Sequence, residues 1–367
     1  MSESTKSSSP ESARLWAVVL AGGVGARFWP VSTPRRPKQL LPLASSSPLI
    51  VDTLERVLPL VPPERLRIVT GPTLAEAMLS AAPALLEGQF LLEPAARGTA
   101  PALAWAAHAI RRADPAAVMV SLHADHVIEP AAAFRSLLVQ AADLSVRHGR
   151  LFTLGAVPTR PETGYGYIAP GARLDADGAS HAVRRFVEKP DRAEAERLIA
   201  AGCLWNTGMF VWPVQLLLDE LARWTPEIAG LLPLLDEGDV NTFFREAPVL
   251  SIDEGLLERS EAVGVLQTDF RWDDVGAWDA VGRTRERDAA GNVGVGDAHF
   301  VDTHDCIAWA DDGSIVVFGA DDLVVVRSGS ITFVAPRDRT PELKAMLARL
   351  PGRLASGGAD ATGMDEE

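Results

Sequence analysis

The first half of the chain alternates short β-branched runs with longer Ala- and Leu-rich stretches. Residues 15–20, 67–70, 117–122 and 151–157 have the length and composition of buried strands. Between them, residues 49–58, 74–86, 100–112 and 131–147 repeat apolar side chains at helical spacing. Parallel strands need a long crossover between them, and a helix is the usual one. The alternation therefore predicts an α/β fold, with a mixed, mainly parallel sheet and helices on its faces. Ligands of such sheets bind beyond the carboxyl ends of the strands. Motifs that directly follow strands thus say most about function.

Further along, a strand at 182–187 leads into a helix at 192–201, and a run at 208–212 precedes a helix at 214–223. From residue 291 the pattern changes. Short strands at 299–301, 306–309, 314–317, 323–327 and 331–334 are separated by Asp/Gly turns, and a helix follows at 341–350. We expect a disordered lead at 1–13, a large α/β domain at 14–288, a small C-terminal β domain with its terminal helix at 289–352, and a disordered tail at 353–367. The lead is Ser-rich without a hydrophobic signal core, and the tail is Gly-rich. No apolar run approaches ~18 residues, so no transmembrane helix and no membrane partner are expected. Two cysteines, Cys203 and Cys306, make neither a disulfide framework nor a zinc knuckle and fit a reducing, cytoplasmic setting. The 35 Lys+Arg against 49 Asp+Glu give a net charge of −14, which argues against a nucleic-acid partner. A small anionic ligand stays open, because a pocket needs only a few local cations.

The most informative motif follows the first strand, AGGVGARFWPVSTPRRPKQLL at residues 21–41. Gly22, Gly23 and Gly25 let backbone N–H groups approach a phosphate. Arg27 and Lys38 add charge suited to a polyphosphate. The dinucleotide fingerprint fails, since Phe28 stands where a third glycine belongs, and the P-loop triplet Gly-Lys-Ser/Thr is missing. Glycines alone would equally serve a tight strand-to-helix turn; the added Pro37-Lys38 favours phosphate. Another strand ends in His123-Ala-Asp125-His126, a spacing that also suits zinc, although no further His or Cys pattern completes such a site.

Residues 21–41 resemble the signature of the sugar-1-phosphate nucleotidylyltransferases, and within them the mannose-1-phosphate guanylyltransferases, whose loop reads close to GGxGTRLWPLSxxxxPKQ. Ala26 departs from the usual Thr and Phe28 from Leu. The resemblance implies a Rossmann-like sheet of the nucleotide-diphospho-sugar transferase type. It also implies a loop with Gly22, Gly23 and Gly25 around a nucleoside triphosphate, with Arg27 and Lys38 on its phosphates. The segment from Leu91 is similar to EPxxRNTAPA, with Gly98 in place of Asn, which puts Glu93, Arg97 and Thr99 at the nucleotide. Glu93 suits guanine: a carboxylate accepts from both N1–H and the N2 amino group, whereas uracil or thymine would also need a donor. The family's PADH strand end carries a magnesium-binding Asp, which corresponds to Asp125, with His123 in place of Pro. FRWDDVGAWDA resembles WxDVGxW and makes Asp274 the second carboxylate on Mg2+. TGYGYI, a flexible Gly-rich turn, brings Gly166; FVEKP brings Glu188 and Lys189; LWNTGMFVW brings Asn206. In the family these positions bind the sugar hydroxyls, with the Lys on the sugar 1-phosphate.

The resemblance spans roughly residues 15–334. It implies Mg2+-dependent conversion of mannose 1-phosphate and GTP into GDP-mannose and pyrophosphate. Longer family members continue into a cupin-like isomerase domain; nothing here supplies one, so a transferase alone is expected. Another sugar 1-phosphate or nucleoside triphosphate is the alternative. A silent nucleotide-sugar-binding homologue is disfavoured, because Asp125, Asp274, Lys38 and Lys189 are all present. By analogy, the β segment offers a homodimer surface. The only lysines are Lys6 in the lead, Lys344 in the terminal helix, and Lys38 and Lys189 in the two phosphate motifs.

Overall fold

A computed structural model describes residues 14–355 except Val24, Arg35, Pro83, Ala84, Leu86 and 176–178. The expected lead at 1–13, and the tail from 356, lie outside the described residues. In chain order the strands are β1 (Leu15–Leu20), β2 (Leu66–Thr70), β3 (Phe90–Leu92), β4 (Val118–His123), β5 (Val127–Glu129), β6 (Leu151–Ala156), β7 (Tyr167–Arg173), β8 (Ser180–Val187), β9 (Leu204–Pro213), β10 (Val263–Gln267) and β11 (Arg271–Asp273). A C-terminal group follows, made of β12 (Val293–Val301), β13 (Ile307–Phe318), β14 (Leu323–Ser328) and β15 (Ile331–Pro336).

Nine strands form one mixed, partly parallel sheet in the order β3-β2-β1-β4-β9-β6-β10-β8-β7. From β3 to β4 it is parallel throughout, as the helical crossovers require. β9 then enters between β4 and β6, antiparallel to both, so the far half is not the parallel continuation that the first half suggests. Every residue of β1 is buried, as expected of a strand covered on both faces. One face packs on the helices Thr99–Ala113 and Val214–Trp224, the other on Leu49–Val57 and Ala131–His148. Among the described residues, no helix is long and apolar enough to cross a membrane.

The C-terminal module stacks β12, β13 and β14 in parallel, with β15 antiparallel at the edge. The two short strands expected at 306–309 and 314–317 are one strand, β13, and its pairing with β12 shifts register between Val295 and Asp297. The expected helix at 341–350 is a 3-10 stretch, Arg337–Glu342, followed by the short helix Leu343–Leu347. Pro341 lies inside the first part, and its missing N–H and fixed φ oppose a regular α-helix there. Residues 353–355, expected in the tail, belong to the short helix Gly352–Ala355.

A third apolar core joins this module to the glycine-rich segment. Phe28, Trp29 and Val31 pack with Trp278, Trp309, Phe333 and Leu343. The Trp278 indole donates to the Trp29 carbonyl at 3.0 Å, and the Trp29 indole donates to the Leu354 carbonyl at 3.0 Å. Trp278 is fully buried and meets Phe28 and Trp309 edge-on, with centroids 5.2 and 5.5 Å away. Truncating a buried Trp removes transfer energy and leaves a cavity. Trp278→Ala should therefore cost about 3–5 kcal/mol in urea unfolding of the full chain. A loss below about 1 kcal/mol would contradict a shared core.

Candidate active site

The glycine loop leaves β1 at Leu20. The Gln39 side-chain amide donates to the Gly22 carbonyl at 2.8 Å and to that of Gly23 at 3.3 Å, so the motif's far end holds its near end. Gly25 has φ +72, and a Cβ there would collide with the Lys38 side chain. This glycine is required both by its dihedral and by the close approach of Lys38. Arg27 is exposed on the 3-10 turn Ala26–Phe28.

Lys38 is buried, with 7% of its surface exposed. Its ammonium donates to the Asp274 backbone carbonyl at 2.8 Å and pairs with Asp125 Oδ2 at 3.0 Å. Burial pushes the Asp125 carboxyl up, but Lys38, with His126 and His123, outweighs burial and holds it below its ordinary value. Asp274 goes the other way: burial, helped by Asp273 and Asp125, raises it despite Lys38 and the Tyr165 hydroxyl. Tyr165 donates to Asp274 Oδ1 at 2.6 Å. The neighbouring Asp273 is buried in an ion pair with Arg283 at 2.6 Å and accepts the Val275 N–H at 2.9 Å, so it orders the turn rather than facing the site.

His123, Asp125 and His126 offer ligand atoms that all lie within 4.8 Å of one another. The Trp272 indole donates to His126 Nδ1 at 3.2 Å, which occupies that lone pair and leaves the proton of the neutral ring on Nε2. Burial, with the adjacent His123, keeps His126 neutral well below its ordinary range. That arrangement disfavours His126 as a metal ligand through Nδ1. His123 faces Gly208, where a Cβ would stand 2.7 Å from its Nε2, so the glycine makes room for the ring. The oxygen donors of Asp125 and Asp274 suit a hard divalent cation, and the Lys38 ammonium already balances charge at both.

Glu188, Lys189, Gly166 and Asn206 also come together. A Cβ on Gly166 would lie 2.7 Å from Glu188 Oε2, and the Gly166 carbonyl accepts the Asn206 N–H at 2.8 Å. Lys189 is ion-paired with Glu188, and its backbone N–H donates to the Tyr165 carbonyl at 3.2 Å. Burial alone would lower Lys189; Glu188, Asp253 and Glu254 outweigh it and raise the ammonium above its ordinary value. Asn206 Oδ1 accepts from the Thr153 hydroxyl at 2.8 Å, while Nδ2 donates to Asp253 at 2.8 Å and keeps its second hydrogen.

Glu93 stands at the carboxyl end of β3, where its N–H donates to the Thr70 carbonyl at 2.9 Å, and burial raises its carboxyl. Arg97 and Thr99, expected at the nucleotide, are turned to the chain's own backbone. Arg97 donates to the carbonyls of Phe244 and Arg245 at 2.8 and 3.1 Å, and the Thr99 hydroxyl accepts the Ile252 N–H at 2.8 Å. Between them Gly98 has φ +84 and ψ 179, and a Cβ would collide with the Leu250 carbonyl. Only glycine fits that backbone region, which accounts for the departure from Asn.

A cavity of about 430 Å³ lies under the glycine loop, lined by Gly25, Ala26, Arg27, Lys38, His123, Asp125, His126, Asp274, Gly276 and Lys344. A cavity of about 510 Å³ in the C-terminal module is lined by Phe333, Leu343 and Met346 with Arg339, Glu342 and Arg349, and none of Arg27, Lys38, Asp125 and Asp274 borders it. Sequence reasoning missed Tyr165, Asp253 and Lys344. Tyr165 had a signal in the TGYGYI segment. Asp253 and Lys344 had none, since each reaches the site only through long-range packing.

Comparison with known proteins adds two family matches. Residues 16–290 match a nucleotidyl transferase family model, and residues 296–350 match a MannoseP isomerase/GMP-like beta-helix domain. The chain is 34% identical to a mannose-1-phosphate guanylyltransferase of Klebsiella pneumoniae and 33% identical to one of Escherichia coli. Each alignment covers 90% of this chain and 72% of the relative. A crystal structure of a mannose-1-phosphate geranyltransferase from Thermus thermophilus superposes with a TM-score of 0.85 at 36% identity, covering 92% of this chain and 99% of that one.

Asp253 generates a pH test. Burial first, and the Glu188 charge second, push its carboxyl up to about 7, against Lys189 and Asn206. A carboxyl raised in the folded state binds its proton there more tightly, so its stabilising effect is complete below about 4 and lost as pH rises through about 7. In urea unfolding between about pH 5 and 8, Asp253→Asn should gain stability relative to wild type as pH increases. A pH-independent difference would exclude the shift.

Proposed function

From the premise that the chain belongs to the nucleotidyl transferase family, and within it to the mannose-1-phosphate guanylyltransferases, we propose that it converts GTP and mannose 1-phosphate into GDP-mannose and pyrophosphate. The observation that carries this reading is the placement of Lys38 between Asp125 and the Asp274 backbone, under the glycine loop. Tyr165 connects that cleft to the Glu188–Lys189–Asn206 pocket through Asp274 on one side and Lys189 on the other.

A phosphate oxygen of the sugar attacks the α-phosphorus of GTP. The bond from that phosphorus to the β-phosphate bridging oxygen breaks, and pyrophosphate departs in line. The nucleophile is already anionic, so no side chain has to remove a proton. Positioning and charge neutralisation supply the catalysis. Gly22, Gly23 and Gly25 bring backbone N–H groups to the triphosphate, and Arg27 and Lys38 offset its charge. Glu93 accepts from guanine N1–H and N2. Lys189 holds the attacking phosphate, while Glu188, Gly166 and Asn206 meet the sugar hydroxyls. Arg97 and Thr99 act one step back, by anchoring the 250–252 segment that precedes Asp253. Asp125 and Asp274 would hold Mg2+, which when bound screens charge on the phosphate oxygens.

Pyrophosphate release measured with each nucleoside triphosphate and sugar 1-phosphate should be fastest for GTP with mannose 1-phosphate; a faster pairing would reassign the substrates. Lys189→Ala should lower kcat by about 10²–10³-fold while GTP affinity changes far less; equal losses in both would sink its assignment to the sugar phosphate. Asp125→Asn should abolish Mg2+-dependent turnover, and a fully active variant would remove Asp125 from the metal set.

A further inference from the structure

The cleft under the glycine loop has one wall that the large sheet does not supply. Lys344 lies in the helix Leu343–Leu347 and lines the same cavity as Arg27, Lys38, Asp125 and Asp274. Its position is fixed from behind. Leu343, only 2% exposed, is part of the core that holds Phe28 and Trp29, and the helix packs against the 3-10 turn Ala26–Phe28. The same packing places Arg27 and Lys344 on one cavity.

The charges there are unevenly satisfied. Lys38 is paired with Asp125, and Asp274 accepts from Tyr165. Arg27 and Lys344 have no ion pair among the described residues. Two cations on one small cavity, neither facing an acid of its own, suit a polyanion. Glu188, Lys189 and Asn206, which the reading above gives to the sugar phosphate, are not among the residues that line this cavity. In-line displacement puts the entering and leaving oxygens on opposite sides of the α-phosphorus. The leaving end of the triphosphate then falls to the wall made by Arg27 and Lys344.

We propose that Lys344, delivered by the C-terminal module, binds the β- and γ-phosphates of the nucleotide and the pyrophosphate they become. This rests on the nucleotidyl-transfer reading. It makes the module a contributor to the active site as well as a support.

The test is calorimetric titration of inorganic pyrophosphate, with and without Mg2+, into the full-length chain and its Lys344→Ala, Lys344→Arg and Arg27→Ala variants. Steady-state kinetics would accompany it. A charge-assisted contact in a partly exposed site corresponds to roughly 10-fold in affinity. Lys344→Ala should weaken pyrophosphate by about that factor and raise the KM for GTP, with the KM for mannose 1-phosphate unchanged. Lys344→Arg should bind close to wild type. Lys344 is exposed, so equal thermal melts should accompany these changes. Unchanged pyrophosphate affinity in Lys344→Ala, alongside a loss in Arg27→Ala, overturns the Lys344 assignment and leaves the family reading intact. Equal losses in the Ala and Arg variants overturn it too, because charge is then not the cause. A wild-type chain that binds neither pyrophosphate nor GTP overturns both.

Discussion

The ion pair between Lys38 and Asp125, closed by the Asp274 carbonyl, is the contact on which the rest of the site depends. It joins three pieces of chain that are distant in sequence: the signature loop, the end of β4 and the turn after β11. Taking an ammonium out of water is costly, and a single partner rarely compensates. Here a carboxylate and a carbonyl share the task, and the Phe28 ring lies 5.8 Å from the ammonium. Two carboxylates that face one cleft would repel each other without a cation between them, and Lys38 supplies one. Gly25 follows from this placement, because any side chain there would displace the lysine stem.

A loop rich in glycine is a poor way to hold a charge still, since each glycine adds backbone freedom. The structure solves this by anchoring the loop's far side. Phe28, Trp29 and Val31 sit in a core whose other half is the C-terminal module, and the two indole hydrogen bonds of Trp278 and Trp29 link the layers. Arg285 adds a guanidinium that donates to the carbonyls of Pro42, Leu43 and Ser45, bracing the end of the same segment. Arg36, two residues before Lys38, pairs with Asp311 of β13 at 2.6 Å. The charged groups of the motif thereby rest on packed apolar surface rather than on the glycines.

The parts of this arrangement that the sequence made legible are those written locally. Arg27 and Lys38 belong to the motif that follows β1, Asp125 lies just past β4, and short buried strands with helical crossovers are the easiest pattern to read. Strand direction is not written locally, so the antiparallel insertion of β9 could not be read from its apolar run. β3, β5 and β11 are three residues long, too short to show a period. Arg97 and Thr99 illustrate a different limit. A polar residue next to a motif can serve a ligand or the backbone, and here both satisfy backbone groups of the 244–252 region. Asp253 opens a π-helical turn, and Lys344 occupies an exposed position on a five-residue helix. Neither has a neighbour in sequence that announces a site, so only tertiary packing reveals them.

The scarcity of lysine gains a physical reading from the same geometry. Outside the lead, the chain places its lysines at the cleft under the glycine loop or beside Glu188 and uses arginine elsewhere. An ammonium donates in three directions from one point, whereas a guanidinium is a wide planar fork. Lys38 receives an acceptor at 2.8 Å and another at 3.0 Å while its stem lies against Gly25. A planar fork would have to push the loop or the Asp274 turn aside. Lys189 poses the same problem in the opposite surroundings, with the acids Glu188, Asp253 and Glu254 around it. There a compact charge can hold a phosphate while leaving the acids to accept from hydroxyls. The two halves of the site are thus complementary in sign. The cleft under the glycine loop gathers Arg27, Lys38 and Lys344, and the group around Lys189 gathers Glu188, Asp253 and Glu254.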